Sequence, residues 1–218
     1  MKISRATSGP YRDRLHYTMP EIETLTEDEL RNFDLLPSTP GPINIDLYVE
    51  QRFLIPRYEK LSATLLGYTE FGPEGPIDIV INEALASDKS IVAKRRVRTT
   101  IAHEGGHALL HTILHLDTGQ TSLLTTAAER RVMCKEEDLR RNSYDGKWWE
   151  YQANLAMSSL LLPKHLTMTA LEPFLSKTSM GVRTLDPHNL TRAIRALSEI
   201  FDVNPIVAKI RIQQLFKQ

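Results

Sequence analysis

His103-Glu104-Gly105-Gly106-His107 lies inside a run, Ser90 to Leu116, whose apolar residues Val97, Ile101, Ala108, Leu109, Ile113 and Leu116 fit a helical pattern. On a helix the two histidines project from one face with Cβ atoms about 5 to 6 Å apart, which suits two ligands of one ion. Gly105 and Gly106 together cost about 2 kcal/mol relative to alanine in a helix interior. A helix that keeps both therefore needs a close neighbour, such as a strand or a substrate. Zinc accepts neutral imidazole nitrogen at roughly 2.0 to 2.1 Å, and a helix supplies both nitrogens without ordering a loop. Glu104 can stand beside such an ion rather than on it, placed to take a proton from an attacking water. The competing reading is a surface helix whose histidines face solvent or hydrogen bond locally.

A catalytic zinc takes three protein ligands and leaves one position open. A histidine six residues beyond His107 and a glycine three beyond would mark a metzincin, but those positions hold Ile113 and Leu110. A peptide deformylase would need an upstream cysteine, and the single cysteine, Cys134, lies downstream. The third ligand is therefore expected on a second helix, Trp148 to Leu162, which Pro163 stops. Glu150 meets the requirement better than Glu129, Glu136 or Glu137, because it shares a face with Ala153, Asn154, Met157, Leu160 and Leu161. Burying that face turns its carboxylate inward, where it needs a cation. Asn154, one turn on, can accept the second ring hydrogen of a ligand histidine. The competing role for Glu150 is an interfacial ion pair with an arginine. His111 and His115 rotate progressively away from the first pair and are expected to cap or pack, as are Trp148 and Trp149. Tyr144, Tyr151 and His165 are the candidates for stabilising an oxyanion, with nothing to choose among them.

The remaining pattern predicts an α+β fold. Thr26 and Glu29 read as a capping box for a short helix from Glu27 to Leu35, and Pro37 to Pro42 as a linker. A helix is expected over Asp46 to Phe53 and strands over Leu54-Ile55, Leu65 to Phe71 and Ile77 to Ile81. The last two are joined by the turn Gly72-Pro73-Glu74-Gly75-Pro76, giving a small, mostly antiparallel sheet. Thr126 to Arg141 has helical composition. Leu190 to Phe201 and Pro205 to Leu215 form a helix pair, with Asn204 as cap and Pro205 at the first helical position. The chain divides into an N-terminal helical extension and linker (1–42), a core (43–165) and a C-terminal helical segment (166–218).

Lysine plus arginine and aspartate plus glutamate both number 27, so the overall field attracts neither nucleic acid nor an anionic membrane. No apolar run approaches a bilayer span. No apolar stretch follows the basic start, and one cysteine excludes an intramolecular disulfide framework, so a cytoplasmic protein is expected.

Three stretches resemble the ImmA/IrrE family of regulatory metallopeptidases. Arg98 to His111 is similar to its active-site helix. Glu150-Tyr151-Gln152-Ala153-Asn154 with Leu160 to Pro163 is similar to its second motif, and Gly67 to Phe71 with Ile77 to Asn82 to its preceding strands. Ala156 and Met157 depart from the family's usual order of large then small, and the insertion between His107 and Glu150 is longer than usual. The resemblance implies a zincin-like core over 43–165, with Zn2+ held by His103, His107 and Glu150 and with Glu104 as base. It implies cleavage of a protein partner, commonly a helix-turn-helix transcriptional repressor. Strand Ile77 to Ile81 is then expected to take an extended peptide by edge addition. The alternatives are a non-proteolytic metal-binding regulator and a DNA-binding regulator using the C-terminal helix pair, whose second helix carries Lys209, Arg211 and Lys217.

Overall fold

A computed structural model describes residues 1–7, 11–116, 131–140, 144, 146–177 and 183–216. In chain order the elements are a hairpin of β1 (Lys2–Arg5) and β2 (Asp13–His16), then α1 (Met19–Asn32) and α2 (Ile45–Arg52). Strands β3 (Arg57–Glu59), β4 (Leu65–Gly72) and β5 (Gly75–Asn82) precede helices α3 (Glu83–Ser87) and α4 (Ile91–His111). Next come β6 (Arg131–Lys135), α5 (Glu136–Arg140), α6 (Trp148–Leu161) and α7 (Lys164–Leu171). A small hairpin of β7 (Leu175–Lys177) and β8 (Arg183–Leu185) leads into α8 (Leu190–Ile200) and α9 (Pro205–Phe216).

The principal sheet has the order β3-β5-β4-β6, antiparallel across β5-β4 and β4-β6 and parallel across β3-β5. The fold is thus α+β with a small, mostly antiparallel sheet, and α4 packs along α6. One hydrophobic cluster draws on all three expected segments, from Leu30 through Ile81, Ile101, Met157 and Leu161 to Leu197 and Ile212. No helix among the described residues is long and apolar enough to cross a membrane.

Four local expectations are corrected. The first helix begins at Met19, not Glu27, and its capping box is Thr18 with Glu21, whereas Thr26 lies buried inside the helix with its hydroxyl donating to the Ile22 carbonyl at 2.9 Å. Both threonines start a Thr-x-x-Glu pattern, and only the first has Pro20 at a position where the missing N–H costs nothing. The strand expected at Leu54-Ile55 falls at Arg57–Glu59, because Pro56 lacks a ladder donor and Ile55 faces solvent. Strand β5 is an edge only in part: Val80, Ile81 and Asn82 pair with Arg57, Tyr58 and Glu59 of the short outer strand β3, whereas Gly75 to Ile79 have no strand on that side among the described residues. The helical expectation over Thr126 to Arg141 is wrong at Arg131–Lys135. That segment is β6, with Val132 and Cys134 inward and Arg131, Met133 and Lys135 outward; residues 126–130 and 141 lie outside the described set. Other boundaries agree closely. Asn204 caps α9 by accepting from Ile206 N at 3.0 Å, and Cys134 packs in the core.

Helix α9 is tied inward. Arg211 is fully buried, donates from Nε to the Leu162 carbonyl at 2.9 Å and pairs with Glu23 of α1 at 2.9 Å. Burial pulls the guanidinium down to about 10 against the support of Glu23.

Candidate metal centre

Ser90 caps α4 by accepting from Ala93 N at 3.1 Å, and the helix carries His103, Glu104 and His107 into the core, where none of the three is exposed. Helix α6 lays Glu150 and Asn154 opposite them, at 5% and 3% exposure. The close neighbours expected at the two glycines are helices rather than a strand or a substrate. A Cβ on Gly106 would lie 3.0 Å from the Ala153 carbonyl oxygen and 3.1 Å from Ala156 Cβ, and one on Gly105 would lie 2.9 Å from Val49 Cγ2 of α2. Gly106 thus sets the spacing of the two helices that bear the candidate ligands.

His103 Nε2 lies 3.2 Å from Glu150 Oε2 and 3.0 Å from His107 Nε2, which is itself 3.5 Å from the same carboxylate oxygen. One ligand atom from each residue falls within 4.8 Å of the others, so the group can hold a metal ion. The outer nitrogens favour this use. His103 Nδ1 lies 3.0 Å from Asn154 Oδ1, and an amide oxygen only accepts, so Nδ1 is committed as a donor and Nε2 is the nitrogen turned to Glu150. Burial acts downward on His103, but the hydrogen bond and charge of Glu150 overcome it and raise its pKa, so a metal would bind at Nε2 in place of a proton. Two imidazole nitrogens and a carboxylate oxygen that meet at a buried point match, once the rings are deprotonated, the donor set of a divalent ion.

The two carboxylates are driven apart. Burial acts upward on Glu150, but the imidazoles of His107 and His103 overcome it and hold the carboxyl well below the usual carboxylate range. Burial pushes Glu104 up to about 8, against His103 and against the Thr69 hydroxyl, which donates to Oε2 at 2.7 Å. The two buried carboxylates thus differ in environment: Glu150 is held ionised by the imidazoles, and Glu104 is pushed toward its neutral form by burial. Glu104 Oε1 is buried without a hydrogen-bond partner among the described residues, next to Gly67, where an added Cβ would lie 3.3 Å from it and 2.7 Å from the Val80 carbonyl oxygen.

Glu150→Ala is expected to weaken zinc binding by more than the roughly 10- to 100-fold typical of losing a partner behind a ligand. Competition with a chromogenic chelator reads this directly; an unchanged affinity would exclude Glu150 as a ligand.

Two of the expected peripheral roles change. His111 is no mere packing residue: its Nδ1 lies 3.0 Å from His107 Nδ1, and burial, then His107, keeps it well below its ordinary pKa and hence neutral. His165, a candidate oxyanion donor, sits between α7 and α1 with Nδ1 3.3 Å from Glu27 Oε2, and Tyr144 is 49% exposed with its hydroxyl on the Gly146 carbonyl. Tyr151 packs partly buried against a cluster of Ile22, Leu110, Leu155 and Ala156. A phenol packed beside His111 is Tyr11, which sequence reasoning missed. Its ring lies 5.4 Å from Trp148 and 6.1 Å from His111, and its buried hydroxyl has no hydrogen-bond partner among the described residues. Burial, then Glu150 and Glu104, pushes its pKa up. No motif marks it, because only the folded hairpin brings it there.

His115 stacks on Phe71 with ring centroids 4.1 Å apart, and burial, then His107, lowers its pKa to about 4. Its contribution to stability is complete above about pH 6.5 and is lost as pH falls toward 4, since only the unfolded chain takes the proton in that window. About 2 kcal/mol is at stake after screening of the partly exposed ring. Replacing His115 with Leu is expected to flatten the acid limb of a denaturation series between those values; an unchanged limb would show that His115 does not cause it.

No protein-family model matches the chain, and no curated protein is significantly similar to it.

Proposed function

We propose that the chain is a zinc-dependent endopeptidase acting on a protein partner, of the ImmA/IrrE type, with a zincin-like core and a helix-turn-helix repressor as the substrate class. The observation that carries this reading is the pairing of the buried His103, His107 and Glu150 group with an adjacent buried Glu104 that Thr69 holds by Oε2, its Oε1 having no hydrogen-bond partner among the described residues. Zinc, when bound, supplies a Lewis acid that polarises the scissile carbonyl and lowers the pKa of water toward about 7. Glu104 Oε1, the unpartnered oxygen, takes a proton from the attacking water and delivers it to the departing amide nitrogen, so one water is consumed and one C–N bond is broken. Thr69 holds the other oxygen, Oε2, which fixes the carboxylate during the transfer. Asn154 keeps His103 in the tautomer that offers Nε2.

One observation favours the second reading, a regulator that binds metal and partner without cleavage: the ligand residues are at most 5% exposed. An extended peptide reaches them only if a covering element moves. Arg211, counted for the DNA-binding alternative, is committed to Glu23 and the Leu162 carbonyl.

The test is to load the chain with zinc and incubate it with helix-turn-helix repressors encoded beside its gene, reading products by mass spectrometry. Cleavage that stops with chelator and returns with zinc is expected. A stable complex with stoichiometric zinc and no product would establish the non-proteolytic reading instead.

A further inference from the structure

The orientation of His107 is set by a chain of three contacts that leaves the two ligand helices altogether. His107 Nδ1 lies 3.0 Å from His111 Nδ1, His111 Nε2 lies 3.2 Å from Gln152 Oε1, and Gln152 Nε2 lies 2.8 Å from the carbonyl oxygen of Leu15 in β2. Each link has one permitted direction. The Leu15 carbonyl only accepts, so the Gln152 amide nitrogen faces it and Oε1 faces His111. That oxygen also only accepts, so His111 carries its proton on Nε2 and shows a lone pair at Nδ1. His107 must then carry its proton on Nδ1. Its Nε2, the atom 3.0 Å from His103 Nε2 and 3.5 Å from Glu150 Oε2, is then the nitrogen that a metal would take in place of a proton. His107 and His111 have no exposure and Gln152 only 5%, so water is poorly placed to replace a missing partner.

We propose that His111 and Gln152 are positioning residues of the metal centre, and that the N-terminal hairpin, through the Leu15 carbonyl, is the outermost support selecting the metal-binding tautomer of His107. The proposal rests on the metal-site reading above and assigns a role to a segment far outside its motifs. Because coupling between two equilibria is reciprocal, zinc that is favoured by a docked β2 must in turn hold β2 in place.

Two substitutions at one position separate positioning from simple packing. Gln152→Leu removes both polar links. Gln152→Glu keeps an acceptor for His111 whichever oxygen faces it, but loses the donor to Leu15. Zinc affinity, measured by chelator competition well below the unfolding temperature, is expected to fall about 10- to 100-fold in Gln152→Leu and to stay within about 3-fold of wild type in Gln152→Glu. Nitrogen-15 spectra of the His107 ring are expected to show the Nδ1–H tautomer in wild type and Gln152→Glu, and a mixture in Gln152→Leu. Zinc is expected to slow amide exchange in β2 in wild type and in neither variant.

If Gln152→Leu binds zinc as tightly as wild type, or if His107 keeps one tautomer without Gln152, the positioning role is overturned while the metal site stands. If wild type takes up no stoichiometric zinc, the metal-site reading itself falls, and this proposal with it.

Discussion

A Glu104→Gln chain should keep its zinc and lose peptide cleavage by about 10²- to 10⁴-fold, the contribution typical of a positioned general base. The substitution preserves size, and its amide oxygen can still accept from the Thr69 hydroxyl that donates to Oε2 at 2.7 Å. What disappears is the group that takes and returns a proton, since Oε1 is the oxygen without another partner. Because burial holds the Glu104 carboxyl up at about 8, the neutral amide introduces no new charge into the site and the fold should tolerate it. Zinc content and single-turnover cleavage, measured on the same preparation, decide the matter. A variant that cleaves a verified substrate at the wild-type rate would remove Glu104 from the mechanism.

Gly106→Val should destabilise the chain by about 3 kcal/mol and weaken zinc binding at least about 10-fold. A Cβ alone would sit 3.0 Å from the Ala153 carbonyl oxygen and 3.1 Å from Ala156 Cβ, and valine adds two methyl groups on a branch that a helix restricts to few rotamers. The backbone of α6 cannot give way locally, so the helices must part. Parting them separates Glu150 and Asn154 on α6 from His103 and His107 on α4. Denaturant titration and zinc competition should therefore move together. Loss of stability with unchanged zinc affinity would show that the ligands do not depend on this contact.

The helical pattern around His103 and the shared face of Glu150, Ala153, Asn154 and Met157 were enough to place the candidate ligands, because both are regularities within one helix. The contact of His103 with Asn154 followed from the same faces. Features that depend on several distant segments were not legible. Strand β3 is three residues long, too short to display alternation, and its parallel pairing is what covers β5 at Val80 to Asn82. Strand β6 does alternate, but its charged neighbours gave the stretch a helical composition. Tyr11 and Leu15 meet the centre only after the first hairpin has closed, and Gln152 looks like any polar residue one position from a buried face until Leu15 arrives. The four-residue step from His107 to His111 was visible; that the second ring would turn back toward the first was not.

Arg211 makes the two ends of the chain depend on each other. A guanidinium that enters the interior without its carboxylate costs several kcal/mol, and the carboxylate belongs to Glu23 on α1, at the opposite end of the sequence. Helices α9 and α1 therefore depend on each other for burial, whatever the helical tendency of either. A substitution that removes either charge should therefore loosen both ends of the sequence at once, because each would leave the other buried without its counter-ion.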